Sequence, residues 1–259
     1  MTREQAQVAA ELLCAADSAV ALTGAGISTP SGIPDFRSPK SGLWEGVDPL
    51  TVASIYGFRQ DPQAFFDWIY PLTKVTIDAK PNPAHYALAA LEDQGRLKGV
   101  ITQNIDTLHT RAGSHIVYEL HGHFREATCV HCFTVFEAEP IIRQFLLDHE
   151  VPHCPLCGGV IKPNVILFGE QLPIQTLMAA QDLARKSDLV LVVGTSLEVA
   201  PASDLPMLAL QNGAKMIIIN LEPTHLDNAA TVVIHANAAE ILPEILQQME
   251  NIHEHDSQQ

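Results

Sequence analysis

The chain has 259 residues, 47% hydrophobic and 17% charged, with a formal net charge of −15, a length that allows one or two domains around a substantial core. That acidity excludes non-specific grip on nucleic acid, which needs Lys and Arg to neutralise phosphates, and suits a basic protein partner or plain solubility. No apolar run approaches the roughly 20 residues of a membrane helix, and the start, Ala/Leu-rich sequence broken by Glu11 and Asp17, does not read as a secretory signal, so a cytoplasmic protein with no membrane contact is expected.

Residues 3–17 alternate at helical spacing, and Cys14 within them is expected to be a buried, inert thiol. Ser18-Ala19-Val20-Ala21-Leu22-Thr23 reads as a short buried strand that runs straight into Gly24-Ala25-Gly26. A strand entering Gly-x-Gly opens a dinucleotide fold: the glycines admit a pyrophosphate to the backbone, and the helix that follows offers its N–H groups. The third glycine of that fingerprint would fall at 29, where Thr29 stands. The ribose-binding acid expected about 20 residues on is also missing, because Glu45 and Asp48 lie beside Pro49 in sequence without strand character. Taken alone, the loop fits nucleotide binding or an ordinary strand-to-helix turn.

Ser31-Gly32-Ile33-Pro34-Asp35-Phe36-Arg37-Ser38 is turn-rich. It reads either as a surface loop with an ion pair or as a lid whose Phe36 keeps water from a reactive carbon. Helical patterns at 82–94, 173–186, 203–211 and 238–249 then separate strand candidates at 99–102, 189–193, 216–219 and 231–234. Short β-branched runs of this kind suit strands covered on both faces. The expected fold class is α/β, a doubly wound parallel, Rossmann-like sheet. Residues 38–80, with four prolines around Phe65, Phe66 and Trp68, and residues 124–162, with the paired cysteines, break the alternation. They are expected to form a smaller domain, a helical insertion joined to a zinc ribbon. The nucleotide-binding domain then comprises 1–37, 81–123 and 163–250, and 251–259 is a frayed tail.

Ligands in open α/β sheets bind at the carboxyl ends of strands. Three expected strand ends are polar: Thr102-Gln103-Asn104-Ile105-Asp106, Gly194-Thr195-Ser196, and Asn220 with Glu222, the better candidates for a ribose. Each alone reads as a capped helix start, but three meeting Gly24-Ala25-Gly26 at one edge read as a site. His121-Gly122-His123 offers a general base, although a single histidine is a weak signal in a chain with 12, and His123, His131 and His153 can be confused with metal ligands.

Cys129-x-x-Cys132 and Cys154-x-x-Cys157 are 21 residues apart. Two such knuckles complete a tetrahedral thiolate cage for one structural zinc, with no coordination position left for catalysis. A redox reading would leave the second matched pair unexplained.

In their order, Gly24-Ala25-Gly26-Ile27-Ser28, Gly32-Ile33-Pro34-Asp35-Phe36-Arg37, Gln103-Asn104-Ile105-Asp106, His121-Gly122, the four cysteines, Phe168-Gly169-Glu170 and Gly194-Thr195-Ser196 resemble the sirtuin family of NAD-dependent protein deacylases across roughly residues 8–245. The resemblance implies that His121 and Asn104 are catalytic. It implies NAD contacts from Gly24, Ala25, Gly26, Ser28, Thr29, Asp35, Phe36, Arg37, Gln103, Asn104, Ile105, Asp106, Gly194, Thr195, Ser196, Asn220, Glu222 and Ala238, with Ile105 and Asp106 at the carboxamide. It also implies that Ile166, Phe168, Gly169 and Glu170 meet the acyl-lysine and that Val199 pairs with the peptide as an added strand, zinc being held by Cys129, Cys132, Cys154 and Cys157. The plain alternative for Ile166 and Val199 is core packing. The desuccinylase branch carries a tyrosine and an arginine three residues apart in its small-domain helix, whereas 65–73 offers no arginine and holds Asp67, which would repel an acidic acyl group if it faced inward. Neutral acyl groups, acetyl first, are the expectation. An ADP-ribosyltransferase on the same NAD site is the second reading. A non-catalytic binding module and a hydride-transfer dehydrogenase fit less well.

Overall fold

The fold is described from a computed structural model, over residues 2–35 and 48–256. Its strands are β1 (Ala19–Thr23), β2 (Leu97–Thr102), β3 (Val117–Glu119), β4 (Gly122–Cys129), β5 (Val135–Glu137), β6 (Ile161–Val165), β7 (Leu189–Val193), β8 (Lys215–Ile219) and β9 (Val232–Ile234). Its helices are α1 (Thr2–Ala15), α2 (Pro49–Val52), α3 (Ile55–Gln60), α4 (Pro62–Thr76), α5 (Pro83–Asp93), α6 (Leu108–Arg111), α7 (Ala138–Asp148), α8 (Ile174–Lys186), α9 (Leu205–Gln211) and α10 (Ala238–Asp256). None of the described helices is long and apolar enough to cross a membrane.

Six strands form one sheet in the order β3-β2-β1-β7-β8-β9, with every neighbouring pair parallel. The expected doubly wound fold is what the chain adopts. Ala19 and Ala21 of β1 and Leu189, Leu191 and Val193 of β7 join the core under α1, α5 and α10. Val20, Leu22, Val190 and Val192 join the core under α8 and α9. Side chains alternate across a pleat, so a strand covered on both faces must be apolar throughout. Emptying one of these positions, as in Leu191→Ala, costs about 2–5 kcal/mol.

The sequence misses β3, a half-buried edge strand whose Val-Tyr-Glu carries no readable period. Of the tail expected at 251–259, residues 251–256 continue α10, and 257–259 lie outside the described residues. Ile252 packs on the core in line with Ile245 and Met249, one face of the same helix. Cys14 is half-buried against that core rather than sealed in it.

The second sheet has the order β5-β4-β6 and is antiparallel. The domain limits expected at 123 and 162 fall inside β4 and β6, and only Leu120 and His121 separate β3 of the first sheet from β4 of the second. Gly122 makes this possible: its φ is +78, and a Cβ there would lie 2.0 Å from the Asn164 carbonyl oxygen. The helical insertion packs by aromatic contact. Asp61 caps α4 by accepting from the Ala64 N–H, with Pro62 beside it. Phe65 meets Phe58 and Phe66 edge-on, and Phe66 reaches Phe145 of α7 at 5.0 Å between ring centroids.

Candidate active site

From β1 the chain builds β2 and β3 on one side and then returns to build β7, β8 and β9 on the other. The ends of β1 and β7 therefore flank the switch point, where such sheets open a ligand crevice. The expected segments share this edge. Gly24, Ala25, Gly26, Ser28 and Thr29 follow β1, Gln103 to Asp106 follow β2, Gly194, Thr195 and Ser196 follow β7, Asn220 and Glu222 follow β8, and Ala238 opens α10 beyond β9.

The two central loops interlock. The Gly24 N–H donates to the Val193 carbonyl at 3.1 Å and the Gly26 N–H to the Gly194 carbonyl at 2.8 Å. A Cβ on Gly24 would lie 2.7 Å from Thr195 Cβ, and one on Gly194, at φ +60, would lie 2.3 Å from the Ile27 nitrogen. The glycines thus serve loop-on-loop packing first. The helix expected after them is absent: two 3₁₀ turns, Ala25–Ile27 and Thr29–Ser31, stand there, closed by Gly32 at φ +84. Pro30 lacks the N–H that would extend the ladder, and the Ile27 and Ser28 N–H groups turn back to the Gly24 and Ala25 carbonyls. With no helix to bring against a strand, position 29 needs no glycine. Thr29 instead donates its hydroxyl to the Gly26 carbonyl at 3.1 Å.

Beneath the loop lies a directional polar network. Ser28 Oγ donates to Asp106 Oδ2 at 2.6 Å, and the Leu108 N–H donates to Asp106 Oδ1. Asn104 Nδ2 donates to the Gly24 carbonyl and to Ser28 Oγ, both at 3.1 Å. Asn82 caps α5 and sends its own N–H to His85 Nδ1, so the His85 proton sits on Nε2, 3.4 Å from Ser28 Oγ. Thr23 Oγ1 donates to Thr102 Oγ1, which leaves His109 Nε2–H as donor to Thr23, and the Asn104 N–H also ends on Thr102. Burial pushes the Asp106 pKa up against the Ser28 bond that lowers it. Burial lowers His85 to about 4 and takes His109 well down, so both rings are neutral. In the sequence, 82–94 reads only as a helical pattern, and neither His85 nor His109 stands out as a site residue. The Asn82-Pro83-x-His85 cap signal was present, but its partner Ser28 is distant in the chain.

His121 lies between β3 and β4. Its Nδ1 is 3.1 Å from the Gln103 carbonyl, an acceptor only, so in the neutral ring Nδ1 carries the proton and Nε2 keeps a lone pair that meets no donor among the described residues. Burial lowers its pKa below 6.5, opposed by the Gln103 bond, and the ring is neutral at pH 7. Gln103 Nε2 in turn donates to Thr195 Oγ1 at 3.0 Å, tying the ends of β2 and β7.

Beyond β6, the Ile166 N–H donates to the His121 carbonyl at 2.8 Å, the Phe168 N–H to Ala53 at 2.9 Å, and Ile55 back to Phe168 at 3.0 Å. Ile166 is half-buried and Phe168 is 40% exposed, so neither is sealed in the core. Gly169 turns the chain at φ +85 before Glu170. Val199 is half-buried on the loop after Ser196. Asp67 faces outward, accepting from Gln63 Nε2 at 2.8 Å, so its charge does not bear on the acyl group. Asn220 and Glu222 are joined by a bond from Asn220 Nδ2 to the Glu222 carbonyl. Asp35 is half-buried, whereas Phe36 and Arg37 lie outside the described residues.

The four cysteine sulfurs lie within 4.8 Å of one another. The Cys129–Cys157 and Cys132–Cys154 separations are 3.5 and 3.7 Å, and a tetrahedron with zinc–sulfur bonds of about 2.3 Å has edges of about 3.8 Å. The Thr134 hydroxyl touches Cys132 at 3.2 Å, and the His131 N–H donates to Cys129, contacts that steady thiolates. The set fits one structural zinc.

The Sir2 family model matches residues 24–201. An NAD-dependent protein deacetylase of Caldivirga maquilingensis is 45% identical over 249 residues, 96% of this chain and 95% of that one. A solved Sir2 enzyme superposes with a TM-score of 0.90 at 46% identity, covering 96% of this chain and 99% of its own. A second, in complex with a deacetylated p53 peptide and 3′-O-acetyl-ADP-ribose, gives a TM-score of 0.89 at 39% identity, covering 93% and 97%. With this loop geometry, four-cysteine cage and ordered set of strand-end motifs, the chain belongs to the Sir2 family.

Proposed function

We propose that this chain is an NAD-dependent protein-lysine deacetylase that releases nicotinamide and O-acetyl-ADP-ribose. The observation that carries the reading is the His121 ring, anchored through Nδ1 to the carbonyl of Gln103, the residue before Asn104 of the Ser28–Asn104–Asp106 network, with no hydrogen-bond partner for Nε2 among the described residues. NAD is consumed as co-substrate, and zinc is structural. The acetyl oxygen displaces nicotinamide at the anomeric carbon of the ribose. Oxocarbenium character develops there, and the polar groups fixed by the network stabilise it without reorganising. Nicotinamide leaves neutral, so no second catalytic carboxylate is required. His121 then takes a proton from a ribose hydroxyl and that oxygen attacks the imidate carbon; the carbon–nitrogen bond breaks, the lysine leaves as the protonated amine, and water adds to the cyclic acyl intermediate to give O-acetyl-ADP-ribose.

The partners are acetyl-lysine-bearing proteins or peptides, bound as an added strand between Ile166–Phe168 and Val199. Backbone pairing of that kind tolerates many sequences, and neither nucleic acid nor a membrane is engaged. The cell compartment in this reading is the cytoplasm. The large domain supplies the NAD crevice and the small domain one wall of the lysine tunnel. Neutral acyl groups are preferred, since the 65–73 helix offers no arginine. Comparable turnover of succinyl- and acetyl-lysine peptides would remove that preference.

One assay tests the reading. The chain is incubated with NAD and an acetyl-lysine peptide, and the products are resolved by mass. O-acetyl-ADP-ribose with deacetylated peptide is expected. A mass gain on protein instead would establish the ADP-ribosyltransferase reading.

A further inference from the structure

Lys162 projects from β6, whose burial alternates: Ile161, Pro163 and Val165 face inward, Lys162 and Asn164 the other way. Its side chain is nonetheless only 11% exposed and that of Glu170 only 24%. An ammonium has three donors, and three acceptors surround this one: the Val165 carbonyl at 2.7 Å, the Pro163 carbonyl at 3.4 Å and Glu170 Oε2 at 3.0 Å. The same carboxylate oxygen accepts the Leu167 N–H at 2.8 Å. Lysine and glutamate therefore grip both ends of the segment that carries Ile166 and Phe168, and that segment is bonded to the His121 carbonyl through Ile166. A groove of about 700 Å³ borders the pair on the side lined by Lys162, Ile166 and Glu170, so packing alone does not hold this wall shut.

We propose that Lys162 is a positioning residue for the acyl-lysine: through Glu170 it closes the 162–170 segment and sets Ile166 and Phe168 at a fixed distance from His121. This rests on the deacetylase reading. It also changes the part expected of Glu170, whose carboxylate is committed to Lys162 and Leu167 and acts on the peptide through the segment it holds. Removing one partner leaves the other charge uncompensated and partly out of water, and the segment opens into the groove.

The test is steady-state kinetics on the full chain with zinc bound, varying an acetyl-lysine peptide and NAD separately. The variants are Lys162→Met, Glu170→Gln, the double variant and Lys162→Arg. Each single variant is expected to raise the peptide KM roughly tenfold, the loss of one charge-assisted contact, with the NAD KM unchanged. The double variant should match the singles, because one bond is being removed twice. Lys162→Arg keeps the charge, so it should fold even if the Met variant does not, and should raise the peptide KM by less, again without moving the NAD KM. An unchanged peptide KM, a parallel rise in both KM values, or additive effects of the two single changes would overturn the proposal. If the wild-type chain forms no O-acetyl-ADP-ribose, the deacetylase reading fails and takes this inference with it; normal wild-type turnover with any of the other results removes the Lys162 role alone.

Discussion

The two walls of the site are held by different physics. The cofactor edge stands on β1 and β7, central strands with every residue buried and glycine loops locked by backbone bonds. The proposed peptide wall stands on β6 and the residues beyond it, an edge of a three-stranded sheet in which Lys162 and Asn164 stay half-buried. The first is rigid because close packing leaves it no alternative arrangement. The second depends on discrete ties: the zinc cage, the His121–Ile166 bond and the Lys162–Glu170 pair. A surface that recognises a small invariant ligand can be built into the core. One that must admit different peptides sits where local opening costs less.

The largest test of this contrast is zinc removal. Structural zinc contributes about 10–16 kcal/mol of apparent binding energy in small domains. Chelation, or Cys154→Ser, should unfold the 122–165 region while the parallel sheet survives. Hydrogen exchange should show protection lost in β4–β6 and kept in β1 and β7; equal loss in both would break the contrast. Next in size, His121→Ala should lower kcat by roughly 10²–10⁴-fold with the melting temperature nearly unchanged, and an enzyme that keeps full activity would displace His121 as the base.

Two glycine substitutions then separate the walls. Gly194→Ala places a Cβ 2.3 Å from the Ile27 nitrogen in the left-handed region. It should cost roughly 3 kcal/mol and weaken NAD binding measured by calorimetry. Gly122→Ala meets the Asn164 carbonyl at 2.0 Å. It should strike peptide binding harder than NAD binding, and a reversed order would show the two walls to be one mechanical unit.

A last effect, read from stability and not from binding or turnover, is on its pH dependence. His85 has its pKa lowered to about 4 in the fold, against 6.5 when unfolded. Its contribution is fully present above pH 6.5 and is lost as pH falls toward 4, because only the unfolded chain takes up the proton. His121 and His109 add in the same direction. The raised Asp106 pKa acts oppositely above pH 3.8, where the folded chain holds the proton that the unfolded chain releases. The melting temperature should therefore fall between pH 6.5 and 4, and His85→Gln should flatten part of that slope; an unaltered slope would remove His85 from the account.

Strands with unbroken apolar runs, the α/β class and the four-cysteine cage are legible in the sequence, since each is written in a pattern or spacing along the chain, whereas the strand order is not. The sequence also located the polar strand ends, because polar residues directly after a buried strand are unusual wherever they occur. It could not yield β3, too short and mixed to show a period, or the 3₁₀ turns, where Pro30 and Gly32 override the expected helix. Nor could it say which polar group answers which. Ser28 and Asp106 are 78 residues apart, and Thr23 and His109 are 86 apart. Lys162 and Glu170 are near in sequence, yet their pairing needs the turn at Gly169 and the bond from Ile166 to His121. Periodicity records which face of an element is buried. The partner of a buried charge or hydroxyl is decided only when folding brings separate segments together and excludes the water that would otherwise have served each of them.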